Sequence, residues 1–147
     1  MATKLKIITD AACRSSKPGF KGKAVGAAKF YDSAGEEVYT EEFNLGEVVA
    51  YEAECETVFK SLNAASGITR GGVEVWTDSE SLVRHMNGDY RLKSDLSRSY
   101  FDKLKAMEFR FEEVKYFHHD RTTKLGQVAH VAASTAYARL HSPTQIT

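Results

Sequence analysis

Residues 7–10 read IITD and residues 75–78 read VWTD, so two short β-rich runs end in the same Thr-Asp pair. β-branched and aromatic residues favour strands, and a polar residue after such a run marks its end. We therefore predict two strands that end at Asp10 and Asp78. If these strands are parallel neighbours, both aspartates lie at the carboxyl edge of the sheet, where open α/β sheets place their ligands.

Hydrophobic periodicity outside these two runs predicts the remaining elements. The predicted strands are residues 4–10, 23–31, 36–43, 73–77 and 109–118, and the predicted helices begin near residues 51, 79, 95 and 125. Turn residues at 32–35 predict a hairpin, and small residues at 24–28 indicate that another element packs closely there. The order βββαβα(α)βα predicts an α/β fold, in which helices flank a five-stranded mixed sheet.

Length and composition limit the class of protein. A chain of 147 residues with 42% hydrophobic residues can bury one core, so we expect one domain over residues 1–141 and a short tail at 142–147. The sequence shows no long apolar run and no signal-peptide pattern, and its two cysteines have no metal-site or disulfide-framework spacing. We expect a cytoplasmic monomer that does not contact membranes.

The net charge of zero is a sum over segments of opposite charge. Residues 1–31 carry seven bases against one acid, whereas residues 32–56 carry nine acids and no base. Such asymmetry is compatible with a basic binding surface and equally with a solvated mixed surface. A set of basic and aromatic residues later in the chain has two similar interpretations, either a nucleic-acid contact or the solvated face of a helix. It consists of Tyr90, Lys93, Arg98, Tyr100, Lys103 and Lys105.

A third acid joins the two strand-end aspartates in the predicted fold. Glu54 lies in the first turn of the intervening helix, on the flank of its apolar stripe, and it can lean over the same sheet edge. Three neighbouring carboxylates raise one another's pKa unless a cation neutralises them, and Mg²⁺ and Mn²⁺ prefer such oxygen ligands. The structural alternative is that each acid forms a turn or caps a helix, as Asp78 can do.

Four segments together resemble the type 1 ribonuclease H family, in its compact form without a basic protrusion. They are residues 9–12 (TDAA), 51–55 (YEAEC), 77–83 (TDSESLV) and 82–93 (LVRHMNGDYRLK). The resemblance extends from about residue 5 to residue 138. It implies a metal-dependent endoribonuclease that hydrolyses the RNA strand of RNA–DNA hybrids with two Mg²⁺ or Mn²⁺ ions.

The resemblance also implies a ligand set. Asp10, Glu54 and Asp78 match the first three metal-binding acids of the family, and His130 stands where the family has its fourth acid. Imidazole can ligate a divalent ion, with a bias toward Mn²⁺ over Mg²⁺. The alternative is that His130 is only a polar residue on a helix flank.

Substrate contacts follow from the same resemblance. The matching positions are Ala11, Arg14, Ser16, Lys17, Tyr51, Ser79 and Glu80. Ala50 and Tyr51 replace the asparagines that contact the hybrid's minor groove in the family. His118 or His119 corresponds to a loop histidine implied in proton transfer or product release.

Two alternatives to this function remain open. The protein can be a hybrid-binding or protein-interaction module whose catalysis has weakened, which the change at His130 favours. It can also be a nuclease of the same fold that acts on another substrate, such as structured DNA.

Overall fold

The computed structural model describes residues 4–88, 91–120 and 123–140, with only the backbone of Leu125. Within these ranges, five strands and four helices follow the predicted order. The elements are β1 (Leu5–Arg14), β2 (Gly22–Tyr31), β3 (Glu37–Val48), α1 (Ala50–Ala65), β4 (Gly72–Thr77), α2 (Glu80–Met86), α3 (Asp95–Glu108), β5 (Glu113–His118) and α4 (Lys124–Leu140). The predicted tail lies outside the described residues.

The strands form one mixed sheet in the order β3-β2-β1-β4-β5. β1, β2 and β3 pair antiparallel, whereas β4 pairs parallel with both β1 and β5. Helix α1 makes the crossover between β3 and β4, which places β4 beside β1 as a parallel neighbour. The predicted five-stranded mixed sheet and the pairing of the two Thr-Asp strands are confirmed.

Three predicted strand boundaries are wrong. β3, predicted over residues 36–43, continues to Val48, because β2 keeps pairing with it as far as Gly22. β1 continues beyond Asp10 to Arg14, because β2 keeps pairing with it as far as Lys23. β5 begins at Glu113 rather than at residue 109, because backbone turns after α3 occupy the intervening residues. Phe109, at the first of these turns, is 91% exposed and cannot belong to a buried strand.

Helix α1 lies unusually close to β2. A Cβ atom on Gly26 would fall 2.1 Å from the Thr57 side-chain oxygen, so only glycine permits this approach. The close packing predicted from the small residues of this segment is therefore confirmed. The buried stripe of α1, which includes Cys55, Val58 and Leu62, packs against the sheet and fixes the helix over it.

The two faces of the sheet carry different helices. Core residues from α1, α2 and α3 form one cluster with the β1 side chains Leu5 and Ile7. Helix α4 packs on β1 and β2 through its buried residues Ala129 and Ala133. Side chains from both helical layers can therefore meet at the end of the sheet where β1 and β4 separate.

Candidate metal centre and nucleic-acid surface

Asp10 lies where β1 loses one of its two neighbours. The parallel pairing of β1 with β4 ends at Thr9 and Thr77, while the antiparallel pairing with β2 continues through Asp10 and Ala27. Asp10 is only 1% exposed, and the backbone that holds it is fixed by β2. The sheet itself therefore sets the position of this carboxylate.

Glu54 and Asp78 complete a cluster of three carboxylates with Asp10. One ligand oxygen from each residue lies within 4.8 Å of the others. Asp78 follows the last residue of β4, and the first turns of α1 bring Glu54 over the strand ends. The hydroxyl of the buried Thr77 donates a hydrogen bond to Glu54 Oε2 at 3.4 Å, which ties the helix carboxylate to the strand.

The electrostatics of this cluster favour a bound cation. Burial of the Glu54 carboxyl, followed by the charges of Asp78 and Asp10, raises its pKa well above the ordinary value of 4.5, against the opposing hydrogen bond from Thr77. A divalent ion would relieve this repulsion, and carboxylate oxygens are the ligands that Mg²⁺ and Mn²⁺ prefer. The donor set therefore fits these ions.

We expect the metal-free protein to lose stability as the pH rises above about 4.5, the ordinary pKa of this carboxyl group. The folded protein holds a proton on Glu54 that the unfolded chain has already released. The contribution of protonated Glu54 to the free energy of unfolding is therefore full below that pH, and it is lost as the pH rises through the raised pKa. Urea denaturation in chelator across acidic to neutral pH measures this slope.

Glu54→Gln should flatten that dependence, because glutamine does not titrate. Glu47→Gln, a change at an exposed position of β3, is the matched control and should keep the slope of the wild type. Equal slopes for wild type and both variants would show that Glu54 does not cause the effect.

His130 lies at the rim of the carboxylate cluster. Its Nδ1 atom is 3.4 Å from Asp10 Oδ2, and its side chain is 46% exposed. The group of atoms within 4.8 Å of one another contains the three acids and does not include His130. The structure thus places His130 beside Asp10 on the α4 side, whereas Glu54 approaches from the α1 side.

A cleft of about 290 Å³ opens next to His130 and Glu54. Its walls include Ala11, Arg14 and Ser134. The Arg14 guanidinium stacks on the Tyr137 ring, with 4.4 Å between its central carbon and the ring centroid. Two of the predicted substrate positions therefore line a cleft that leads to the carboxylates.

The other predicted substrate positions have different surroundings. Ser79 caps α2, since its hydroxyl accepts a hydrogen bond from the Leu82 N–H. Glu80 forms an exposed ion pair with Arg84 on the same helix. Ser16 and Lys17 lie in the exposed loop between β1 and β2.

Tyr51 lines a second cleft, of about 580 Å³, with His85, Arg91, Lys93 and Ser94. The Tyr51 hydroxyl and His85 Nδ1 are 2.8 Å apart. Burial lowers the pKa of His85, which favours the neutral ring and leaves Nδ1 able to accept the tyrosine hydrogen. Sequence reasoning did not place His85 beside Tyr51, because only the packing of α1 against α2 brings the two side chains together.

The predicted basic group divides in the structure. Arg98, Lys103 and Lys105 each form an ion pair with a nearby acid. Tyr100 is buried and donates to Glu56, and Tyr90 lies outside the described residues. Among the described residues of this group, only Lys93 lines the second cleft. The predicted nucleic-acid contact is therefore limited to the region of that cleft.

The two histidines after β5 differ sharply in exposure. His118 is exposed, whereas His119 is only 3% exposed. His119 Nε2 lies 3.1 Å from the Thr9 carbonyl oxygen, so its ring faces the backbone of β1. Of the two predicted histidines, only His118 is therefore exposed to a substrate in this structure.

Comparisons with known proteins agree with this architecture. A family model described as reverse transcriptase-like matches residues 30–136. RNase H1 from the halophilic archaeon Halobacterium salinarum NRC-1 superposes with a TM-score of 0.82 at 19% identity, over 92% of this chain and 98% of that one. LC11-RNase H1, isolated from compost, superposes with a TM-score of 0.81 at 25% identity, over 93% of this chain and 97% of that one.

A structure of LC11-RNase H1 in complex with an RNA/DNA hybrid has a TM-score of 0.74 at 23% identity, covering 90% of this chain and 98% of that one. A search among curated proteins finds no significant match. Among the described residues, no helix combines the length and apolar character needed to cross a membrane. From the extent of the family match, the chain belongs to the reverse transcriptase-like family, and it has the fold of the type 1 ribonucleases H.

Proposed function

We propose that this protein is a divalent-metal-dependent endoribonuclease that hydrolyses the RNA strand of RNA–DNA hybrids. The observation that carries the proposal is the convergence of Asp10, Glu54 and Asp78 at the end of the sheet, within 4.8 Å of one another. The family match and the hybrid complex of the similar LC11-RNase H1 support the substrate class.

The three carboxylates are the proposed ligands of two Mg²⁺ or Mn²⁺ ions, with His130 as a further ligand at the rim. Such ions, when bound, activate water and neutralise the charge that develops on a phosphate during in-line displacement. Asp10 would be the central ligand of such ions, because it is the most buried of the acids and its carboxylate lies close to both Glu54 and His130. Glu54 must release its proton to bind a cation, so ion affinity should rise with pH.

The two clefts are the proposed contacts for the nucleic-acid backbone. Arg14 lies in the cleft beside the carboxylates, and Arg91 and Lys93 lie in the cleft beside Tyr51. Phosphate contacts from such cations position a duplex and make its binding sensitive to salt. We propose that Tyr51 faces the substrate with its ring, since its hydroxyl is engaged with His85.

A strand-resolved cleavage assay tests the proposal. One hybrid is labelled on its RNA strand, a second on its DNA strand, and a DNA duplex of the same sequence is the control. We expect cuts in the RNA strand with Mg²⁺ or Mn²⁺ and none in chelator. Equal cutting of the DNA duplex would instead indicate a nuclease of the same fold with another substrate.

A second candidate function is hybrid binding with weakened catalysis. The observation that favours it is the contact between His130 Nδ1 and Asp10 Oδ2, because an imidazole that holds this carboxylate oxygen competes with a cation for it. A native gel in which the protein retards the hybrid, with no cleavage in the presence of Mg²⁺ or Mn²⁺, would support this second candidate.

A further inference from the structure

His119 connects two strands that are not neighbours in the sheet. It follows β5, whereas its ring reaches the carbonyl oxygen of Thr9 in β1, 3.1 Å from Nε2. β4 lies between these strands in the sheet order. The imidazole therefore crosses the end of β4, at the place where β1 and β4 separate.

The backbone groups that His119 contacts immediately precede two of the clustered acids. Its ring faces the Thr9 carbonyl, and its own N–H donates to the Thr77 carbonyl at 2.9 Å. Beyond Thr9 and Thr77 the parallel pairing of β1 with β4 has ended. The bond to the Thr77 carbonyl continues the pairing of β4 with β5. The Thr9 carbonyl, at the end of the pairing of β1 with β4, needs another donor, and the His119 ring supplies it.

The acceptor in this contact determines which ring nitrogen of His119 carries the hydrogen. A carbonyl oxygen only accepts hydrogen bonds, so Nε2 must carry the hydrogen. Nδ1 is buried and has no hydrogen-bond partner among the described residues. Leaving a buried ring nitrogen without a partner costs less free energy when that nitrogen carries no hydrogen. His119 is thus a neutral, fixed donor.

We propose that His119 is a positioning residue of the metal centre, which acts by holding the peptide units before Asp10 and Asp78 at a fixed separation. The inference rests on the proposed function, since its readout is the affinity of that centre for divalent ions. Groups that orient metal ligands typically change metal affinity by about 10–100-fold when they are removed.

A matched pair of variants tests the role. His119→Gln can place an amide N–H near the position of Nε2, whereas His119→Met has a similar length and no donor. Mn²⁺ affinity is measured by calorimetry without substrate, at a temperature at which each protein is folded. We expect binding about tenfold weaker in His119→Met and near-wild-type binding in His119→Gln.

The outcomes separate this inference from the proposed function. Equal Mn²⁺ affinity in wild type and both variants would overturn the positioning role while leaving the metal centre intact. Absence of ion binding in the wild type would overturn the proposed function itself, and the positioning role with it. Equal loss of folding stability in both variants, with affinity lost only in His119→Met, is the pattern that supports positioning.

If His119→Met does not fold, nitrogen NMR of the wild-type imidazole decides the question. We expect the neutral ring with hydrogen on Nε2, and a change in that resonance when Mg²⁺ saturates the centre. Hydrogen on Nδ1, or a resonance that bound Mg²⁺ leaves unchanged, would overturn the role of His119.

Discussion

Asp10→Asn should abolish measurable RNA cleavage and remove the stabilisation by divalent ions. Asp10 is the buried acid that the sheet fixes between the other ligands, and an amide does not provide the charge that holds a cation. Metal catalysis contributes several kcal/mol, so its loss corresponds to a rate lower by about 10³-fold. Because ligands that bind only the folded state stabilise it, the melting temperature of the wild type should rise with Mn²⁺.

The control for this variant is Asp102→Asn, which removes the same charge from an exposed position of α3. Cleavage and the Mn²⁺-dependent rise in melting temperature should be retained there. In chelator, Asp10→Asn should be at least as stable as the wild type, because it relieves the repulsion with Glu54. An undiminished Mn²⁺ effect in Asp10→Asn would place the stabilising ion elsewhere.

His130→Asp should increase cleavage supported by Mg²⁺ relative to Mn²⁺. Oxygen is a harder ligand than imidazole nitrogen, and the new carboxylate adds negative charge beside Asp10. The attraction between the added carboxylate and a bound ion exceeds the ~1.4 kcal/mol that corresponds to a tenfold change in rate. We therefore expect cleavage with Mg²⁺ to be about tenfold faster in His130→Asp than in the wild type. Rates measured across titrations of both ions test this expectation.

His130→Asp adds a negative charge as well as an oxygen ligand, so the effect of the charge alone needs a separate control. Gln127→Asp, which adds the same charge at an exposed position of α4, is the control. Superimposable titrations of Mg²⁺ and Mn²⁺ for His130→Asp and the wild type would make His130 a bystander.

The order of elements and the acid cluster could be predicted from the sequence because both depend on local pattern. Alternating and helical periodicities define the elements, and the repeated Thr-Asp pair marks the ends of two strands. Glu54 could be added because the helix after β3 begins where that strand ends, which a hairpin-built sheet places at the same edge as the end of β1. These inferences need only the chain order and the direction of each strand.

The surroundings of the cluster could not be predicted in this way because they depend on tertiary contacts. The full length of β1 is set by β2, whose pairing carries the strand past the polar residue Asp10. The burial of His119 depends on an orphaned carbonyl at Thr9, which no spacing in the sequence reveals. The contact between Tyr51 and His85 likewise exists only after α1 and α2 have packed.

Crystals grown with Mn²⁺ would test the central claim most directly, by anomalous diffraction at the manganese absorption edge. The account predicts anomalous density between the carboxylates of Asp10, Glu54 and Asp78, and its disappearance in crystals of Asp10→Asn. Density confined to other sites at saturating Mn²⁺, with these three carboxylates unligated, would contradict the claim that they form the metal centre.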